Sequence, residues 1–168
     1  SWGFSIQHGA TSIWERWDGW TPEKGFQDPG MNSFAHYSFG AVCEWMFRTI
    51  GGIDTELAPA QAGGPAYKHI VIHPQPGGRL SWARTSYDSI RGRIATAWKL
   101  DGDTLELDVT IPANTTATVY VPTADAASVK EGGKPAAQAE GIRAIGAKDG
   151  NAVFEVGSGV YHFESQMP

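Results

Sequence analysis

Apolar and polar side chains alternate without a break in Thr104-Leu105-Glu106-Leu107-Asp108-Val109-Thr110-Ile111. A period of two is typical of a β-strand that turns one face to the protein core and the other to water. Just before this strand, Asp101-Gly102-Asp103 joins it to a second strand-like run over residues 90–100. A glycine between two aspartates is a turn signal, so the two runs are predicted to form an antiparallel hairpin.

Further short apolar runs, separated by glycine-rich turns, extend this pattern over most of the chain. Two of the turns are Glu131-Gly132-Gly133-Lys134 and Lys148-Asp149-Gly150-Asn151. The other predicted strands cover residues 69–73, 116–121, 128–130, 142–147, 152–156 and 160–164. Strands at this spacing predict a mainly β fold, an antiparallel β-sandwich over residues 67–168.

The N-terminal part, residues 1–57, holds five of the seven tryptophans and is typical of loops and helix. A long helix is predicted over residues 33–50, with Asn32 or Ser33 as its N-cap, and a shorter one near residues 12–17. The long helix is apolar nearly all round, which is typical of a helix buried between other helices. We therefore expect its partners on sequence outside this chain. A connector rich in Ala, Gly and Pro, residues 58–66, leads to the sandwich.

The composition excludes several classes of function. The 168 residues carry 13 Lys+Arg against 18 Asp+Glu, a formal net charge of −5, without any basic run. We therefore expect no nucleic-acid partner and no membrane partner, and no apolar stretch approaches the ~20 residues that span a bilayer. The one cysteine, Cys43, excludes an internal disulfide and a multi-cysteine metal site, and we predict neither a metal nor a cofactor. Nothing in the sequence indicates a compartment.

The densest group of candidate functional residues is Trp14-Glu15-Arg16-Trp17-Asp18-Gly19-Trp20. Indole rings stack on the C–H faces of sugars and charged side chains bind their hydroxyl groups, so the group fits a carbohydrate site. It fits an aromatic cluster inside a core equally well. Glu15 is a candidate general base, although glutamates more commonly lie on helix surfaces. His36 is a candidate for ligand binding or, more commonly, a hydrogen-bonded core residue.

Two long strings occur together in this part of the chain, ATSIWERWDGW at residues 10–20 and MNSFAHY at residues 31–37. With GAVCEWM at 40–46, IHP at 72–74 and IPANTTA at 111–117, they resemble bacterial α-L-rhamnosidases, glycoside hydrolase family 78. The resemblance implies that residues 1–57 form the end of a six-hairpin (α/α)6 catalytic barrel. The β-sandwich after it would be the C-terminal domain, and the chain would be a C-terminal fragment of the enzyme.

The resemblance also implies roles for individual residues. Hydrolysis in this family proceeds with inversion, by a carboxylic acid on the glycosidic oxygen and a carboxylate that activates water. The family's general base corresponds to Glu15, and a histidine that lines the rhamnose site corresponds to His36. Trp14, Trp17 and Trp20 are expected to shape the pocket wall. The family's general acid lies upstream, so the chain alone is expected to be inactive on its rhamnose-containing glycoside.

One alternative of another class stays open: a self-sufficient β-sandwich module that binds carbohydrate or a partner protein through its Trp-rich part. The two hypotheses differ in what the isolated chain should do. A piece of barrel without its partner helices should expose Phe34, Phe39, Trp45 and Phe47. It should then self-associate or bind a hydrophobic dye, whereas a self-sufficient module should be a monomer with buried tryptophans.

Overall fold

A computed structural model of the chain describes residues 1–30, 32–55 and 66–168. These residues form two compact units, Ser1–Trp45 and Met46–Pro168. The connector predicted at residues 58–66 lies outside the described residues except for Ala66.

The first unit contains little regular structure. Helix α1 spans Trp2–Gln7, and the Oγ of its N-cap Ser1 accepts a hydrogen bond from the backbone N–H of Phe4. A two-stranded ribbon follows, formed by β1 (Trp20–Thr21) and β2 (Gly25–Phe26). The unit ends in a 3₁₀ turn, Phe39–Ala41, and the single α-helical turn α2, Val42–Trp45.

The helix predicted over residues 33–50 begins later than expected. Helical geometry starts at Phe39 and passes from 3₁₀ through α2 to a π-helical turn, Met46–Ile50, which opens the second unit. Residues 33–38 are not helical, because their backbone bonds to a distant segment instead: the N–H of His36 donates to the carbonyl of Ile13 at 2.8 Å. Tertiary pairing here overrides local helix propensity.

The same pairing accounts for two smaller differences. Neither Asn32 nor Ser33 is a helix N-cap, because no helix follows them directly. Residues 12–17 form bends and a turn rather than a helix. No residue from Phe39 to Ile50 is buried, and Trp45 and Phe47 are exposed, as expected of this segment in the absence of partner helices.

The second unit contains two β-sheets. The strands of the larger sheet are β5 (Trp82–Ser89), β6 (Gly92–Asp101), β7 (Thr104–Ile111), β9 (Lys130–Glu131), β10 (Lys134–Pro135) and β13 (Gly159–Gln166). They lie in the order β10-β9-β13-β7-β6-β5 and all pair antiparallel. Strand β5 is therefore an edge strand of this sheet.

The strands of the smaller sheet are β3 (Ile53–Thr55), β4 (His69–Ile72), β8 (Thr116–Pro122), β11 (Ile142–Lys148) and β12 (Asn151–Val156). Their order is β11-β12-β8-β4-β3. Strands β4 and β8 pair in parallel, because the chain leaves β4 for the other sheet and returns only after β5, β6 and β7. The other pairs are antiparallel, as predicted.

One hydrophobic core lies between the two sheets. Each sheet contributes fully buried aliphatic or aromatic side chains, including Ile72 and Val119 from the smaller one, Ile94 and Phe163 from the larger. The alternation that predicted β7 is confirmed: Leu105, Leu107, Val109 and Ile111 are buried, whereas Glu106 and Asp108 are exposed. The fold of this unit is thus the predicted mainly antiparallel β-sandwich.

Candidate active site

The two strings at residues 10–20 and 31–37 lie side by side in the first unit. The N–H of Glu15 donates to the carbonyl of Ser33 at 2.8 Å, and the N–H of His36 to that of Ile13 at 2.8 Å. The Ser12 hydroxyl also donates to the carbonyl of Phe34. These bonds bring the segments of Glu15 and His36 together although the two residues are far apart in the chain.

The carboxylate of Glu15 is held in a defined orientation. Its Oε2 accepts a hydrogen bond of 2.7 Å from the backbone N–H of Ser33, and the residue is half-buried. Within the described part of the chain, Oε1 has no hydrogen-bond partner. One oxygen is therefore used for positioning, and the other can still accept a proton.

The carboxylate of Asp18 is in a different situation. Both of its oxygens accept hydrogen bonds from Arg16, from Nε and Nη2, each at 3.1 Å. This charged pair lowers the pKa of Asp18 below its usual value, mainly through the hydrogen bond from Arg16. Asp18 is thus a poorer proton acceptor than an unpaired aspartate.

Asn32 links the second string to the first, a contact that the sequence did not predict. Its Nδ2 donates to the carbonyl of Gly19 at 2.9 Å, and its Oδ1 is buried without a partner among the described residues. Gly19 is buried, and a Cβ there would lie 2.8 Å from that Oδ1. The sequence around Asn32 favours a helix N-cap there. It contains no local signal for a bond between the Asn32 side chain and Gly19, which lies 13 residues earlier.

The three tryptophans of the first string are exposed to different degrees. Trp14 is buried and meets Phe34 edge-on at 5.3 Å, whereas Trp20 is half-buried beside His8. Trp17 is 39% exposed, although one face of its indole stacks on Phe39 at 3.9 Å. One of the three rings is therefore buried and the other two lie at the surface of the unit. That they form part of a pocket wall stays a prediction.

His36 is half-buried in the loop that precedes the helical segment. The N–H of Ser38 donates to its Nδ1 at 3.3 Å, and its ring stacks on Tyr37 at 5.0 Å. Since Nδ1 accepts this bond, the proton of the neutral imidazole lies on Nε2. His36 therefore presents a hydrogen-bond donor at Nε2.

The described residues contain no group of three or more His, Cys, Asp or Glu side chains that could hold a metal ion. No helix in the described ranges has both the length and the apolar character needed to cross a bilayer.

Comparison with known proteins relates both parts of the chain to one family. The family model of the bacterial α-L-rhamnosidase six-hairpin glycosidase domain matches residues 1–50, and that of the bacterial α-L-rhamnosidase C-terminal domain matches residues 59–136. An α-L-rhamnosidase of Streptomyces avermitilis is 42% identical over 163 residues, 97% of this chain, and one of Formosa agariphila is 43% identical over 130 residues, 77% of it. The chain spans 14% and 13% of the length of these two relatives.

Solved structures agree. The crystal structure of the Streptomyces avermitilis α-L-rhamnosidase complexed with L-rhamnose superimposes with a TM-score of 0.80 at 41% identity and covers 98% of this chain. The α-L-rhamnosidase of Dictyoglumus thermophilum superimposes with a TM-score of 0.76 at 30% identity, also over 98%. This chain covers 14% and 17% of those two chains. The resemblance found in the sequence is thereby confirmed, and the chain belongs to the bacterial α-L-rhamnosidase family.

Proposed function

We propose that this chain supplies the general base, Glu15, and part of the sugar pocket of an inverting α-L-rhamnosidase. The observation that carries the proposal is the hydrogen bond from the Ser33 N–H to Glu15 Oε2, at 2.7 Å. It fixes the carboxylate while leaving Oε1 available to a water molecule. The relative of known structure that was complexed with L-rhamnose supports the substrate class.

In this mechanism, Glu15 accepts a proton from water as the water oxygen attacks the anomeric carbon of rhamnose. The bond between that carbon and the glycosidic oxygen breaks, and a carboxylic acid on the opposite side protonates the leaving oxygen. The two carboxyl groups of an inverting enzyme lie about 6.5–9.5 Å apart, which leaves room for the water. The product is the sugar of opposite anomeric configuration.

We propose that the general acid lies on a part of the enzyme outside this chain. Asp18, the acidic residue closest to Glu15 in the sequence, is paired by both oxygens to Arg16 and its pKa is lowered, which disfavours the protonated form that an acid needs. The chain also spans only 14% of the first relative's length. The isolated chain should therefore not hydrolyse an aryl α-L-rhamnoside.

His36 is the proposed sugar-binding residue. Its Nε2–H can donate to a rhamnose hydroxyl, because Nδ1 is already occupied by the N–H of Ser38. Trp17, which is 39% exposed, is the tryptophan of the string best able to border the sugar.

The test is Glu15→Gln in the complete enzyme that carries this sequence. Glutamine keeps the size of the side chain but cannot accept the proton, so we expect kcat to fall by about 10²–10⁴ with little change in KM. Glu23→Gln is the matched control, since Glu23 is an exposed acidic residue of the same unit and should tolerate the change. Proton NMR of the first-formed sugar checks inversion, for which the β anomer is expected.

Two outcomes would contradict these assignments. Full activity of the Glu15→Gln enzyme would exclude Glu15 as the base and direct attention to Asp18. Rapid hydrolysis by the isolated 168-residue chain would mean that the acid lies within it.

A further inference from the structure

The outward face of the larger sheet carries an exposed tryptophan at one edge. Trp82, on edge strand β5, is 62% exposed. Arg84 follows two residues later and projects from the same face, because side chains alternate along a strand. Their neighbours Ala83 and Thr85 point the other way and are half-buried.

A groove of about 460 Å³ begins at Trp82 and runs across three strands. Pairing places Lys99 opposite Trp82 and Ala97 opposite Arg84, and on the next strand Glu106 faces Lys99 and Asp108 faces Ala97. The small side chain of Ala97 forms part of the floor. A second groove of about 290 Å³, with Arg84, Ala97 and Asp108 in its lining too, continues the first along the sheet. Ligand sites commonly measure about 300–1,000 Å³.

The polar lining contains hydrogen-bond donors and acceptors in close alternation. Arg84 and Lys99 present donors, and Glu106 and Asp108 present acceptors. The carboxylate of Asp108 is held by His162 on the neighbouring strand β13, because Nδ1 of His162 lies 2.6 Å from Oδ1 of Asp108. In the described residues, neither the guanidinium of Arg84 nor the ammonium of Lys99 has a hydrogen bond or an ion pair, and no aromatic ring packs on the indole of Trp82.

We propose that this groove binds a neutral saccharide, with one pyranose ring stacked on Trp82. The C–H face of a sugar matches a flat indole, and its hydroxyl groups both donate and accept, which suits Arg84 and Asp108 at once. The site lies on the sandwich and is independent of Glu15, so it extends the proposed function rather than restating it.

The charges argue against an apolar protein partner at the same place. Such a partner would remove water from Arg84, Lys99, Glu106 and Asp108 without replacing its hydrogen bonds, and this desolvation is unfavourable. A strongly charged ligand of either sign would gain no net attraction, since two positive and two negative side chains lie side by side. A neutral ligand rich in hydroxyl groups satisfies all four side chains.

The test is a titration of the ¹⁵N-labelled 168-residue chain followed by amide NMR. The probes are methyl α-L-rhamnopyranoside, cellotriose and mannotriose, with trigalacturonic acid as a charged comparison, each up to about 10 mM, which detects dissociation constants in the millimolar range. We expect at least one neutral probe to shift the amides of β5, β6 and β7 and the Trp82 indole N–H saturably. Trp82→Ala should weaken that binding about tenfold or more, whereas Trp82→Phe should keep most of it.

Two control variants distinguish binding in this groove from binding elsewhere on the chain. Val160→Ala removes another exposed apolar side chain from the larger sheet, outside the groove, and should leave the affinity unchanged. Glu15→Gln should leave it unchanged too, so that loss of the proposed base and loss of the groove are distinguishable. If Trp82→Ala does not fold, Arg84→Gln must show the same loss for the proposal to stand.

The proposal is overturned if no neutral probe shifts these amides, if only trigalacturonic acid does, or if Trp82→Ala binds as the unchanged chain does. Shifts confined to residues 10–37 that disappear with Glu15→Gln would also overturn it, because they would belong to the candidate active site.

Discussion

The surroundings of two histidines in the sandwich shift their pKa values in opposite directions. The carboxylate of Asp108, 2.6 Å from Nδ1, raises the pKa of His162, mainly through their hydrogen bond. Burial lowers the pKa of His73, whose ring stacks on Tyr120 at 4.4 Å. Desolvation penalises the charged imidazolium, whereas a neighbouring carboxylate stabilises it.

We expect His162 to titrate above the ordinary histidine value of about 6.5, and His73 below it. Proton NMR of the two ring signals against pH measures both. Asp108→Asn should lower the pKa of His162 and leave that of His73 unchanged, so His73 is the internal control. Identical pKa values for the two rings would contradict the bond between His162 and Asp108 and the burial of His73.

Both shifts also make stability depend on pH. The raised pKa of His162 adds stability that is complete below its unfolded pKa and is lost as pH rises through its folded pKa. The ring is half exposed, so this contribution is below about 1 kcal/mol. The lowered pKa of His73 acts in reverse: its contribution is present above the unfolded pKa and is lost as pH falls through the folded one.

At the candidate site, the sequence indicates the candidate residues but not the contacts that hold them. Glu15 and His36 belong to strings specific enough to identify on sight, because tryptophans, an acid and a histidine recur there in a characteristic order. The bond from Ser33 to Glu15 Oε2 joins residues 18 positions apart. No local periodicity encodes such a contact, so it could be found only from the structure.

At the scale of the elements, residues 50–52 lead into the sandwich and are held by close contacts with strand β6 and with Pro74. The carbonyls of Ile50 and Gly51 accept hydrogen bonds from the side chains of Trp98 and Thr96, at 2.7 and 2.5 Å. Gly52 has a φ of +75°, and a Cβ there would lie 2.6 Å from the Cα of Pro74. The backbone of Pro74 cannot move aside easily, because it follows β4 closely and is buried.

Gly52→Ala should therefore destabilise the sandwich by about 3 kcal/mol or more, from a strained φ combined with a steric clash. Gly102→Ala is the matched control: it has a φ of +59°, but nothing lies within 4 Å of its added Cβ. It should lose only about 1 kcal/mol, the cost of the left-handed conformation. Urea denaturation midpoints of the two variants give the comparison, and equal losses would show that the approach to Pro74 is unimportant.

The elements that the sequence predicted well are those with local signals. Strand β7 has the predicted bounds because its alternation is unbroken, and the hairpin turns at Gly102, Gly132 and Gly150 have glycines with positive φ. Trp82 was expected in a strand-like run, but no bounds were predicted for β5, since it is a half-exposed edge strand whose many polar residues obscure the alternation. The start of the helical segment was misplaced because its first residues pair with residues 12–15 instead.

On the scale of the whole molecule, apolar burial is divided very unequally. Trp14 is the one buried hydrophobic residue of the first unit among the described residues, whereas the second unit holds the entire core cluster. The first unit leaves Tyr37 84% and Trp45 46% exposed. Because the first unit buries so little apolar surface, the hydrophobic stabilisation it gains on folding offsets little of the conformational entropy that it loses.

The two units should accordingly differ in stability, and residues 46–168 should fold without residues 1–45. Met46 is a convenient first residue for the shortened chain, and every residue of the core cluster lies beyond it. We expect its melting temperature to stay within about 4 °C of that of the 168-residue chain, the shift that corresponds to roughly 1 kcal/mol in a domain of this size. Hydrogen exchange on the longer chain should show the same division, with amides of residues 1–45 exchanging through local opening and those of β6, β7 and β8 only through global unfolding.

Failure of the shortened chain to fold, or equal protection in both units, would mean that the first unit contributes to the stability of the sandwich. It would then be part of the domain's own core rather than a segment that depends on further helices for its rigidity.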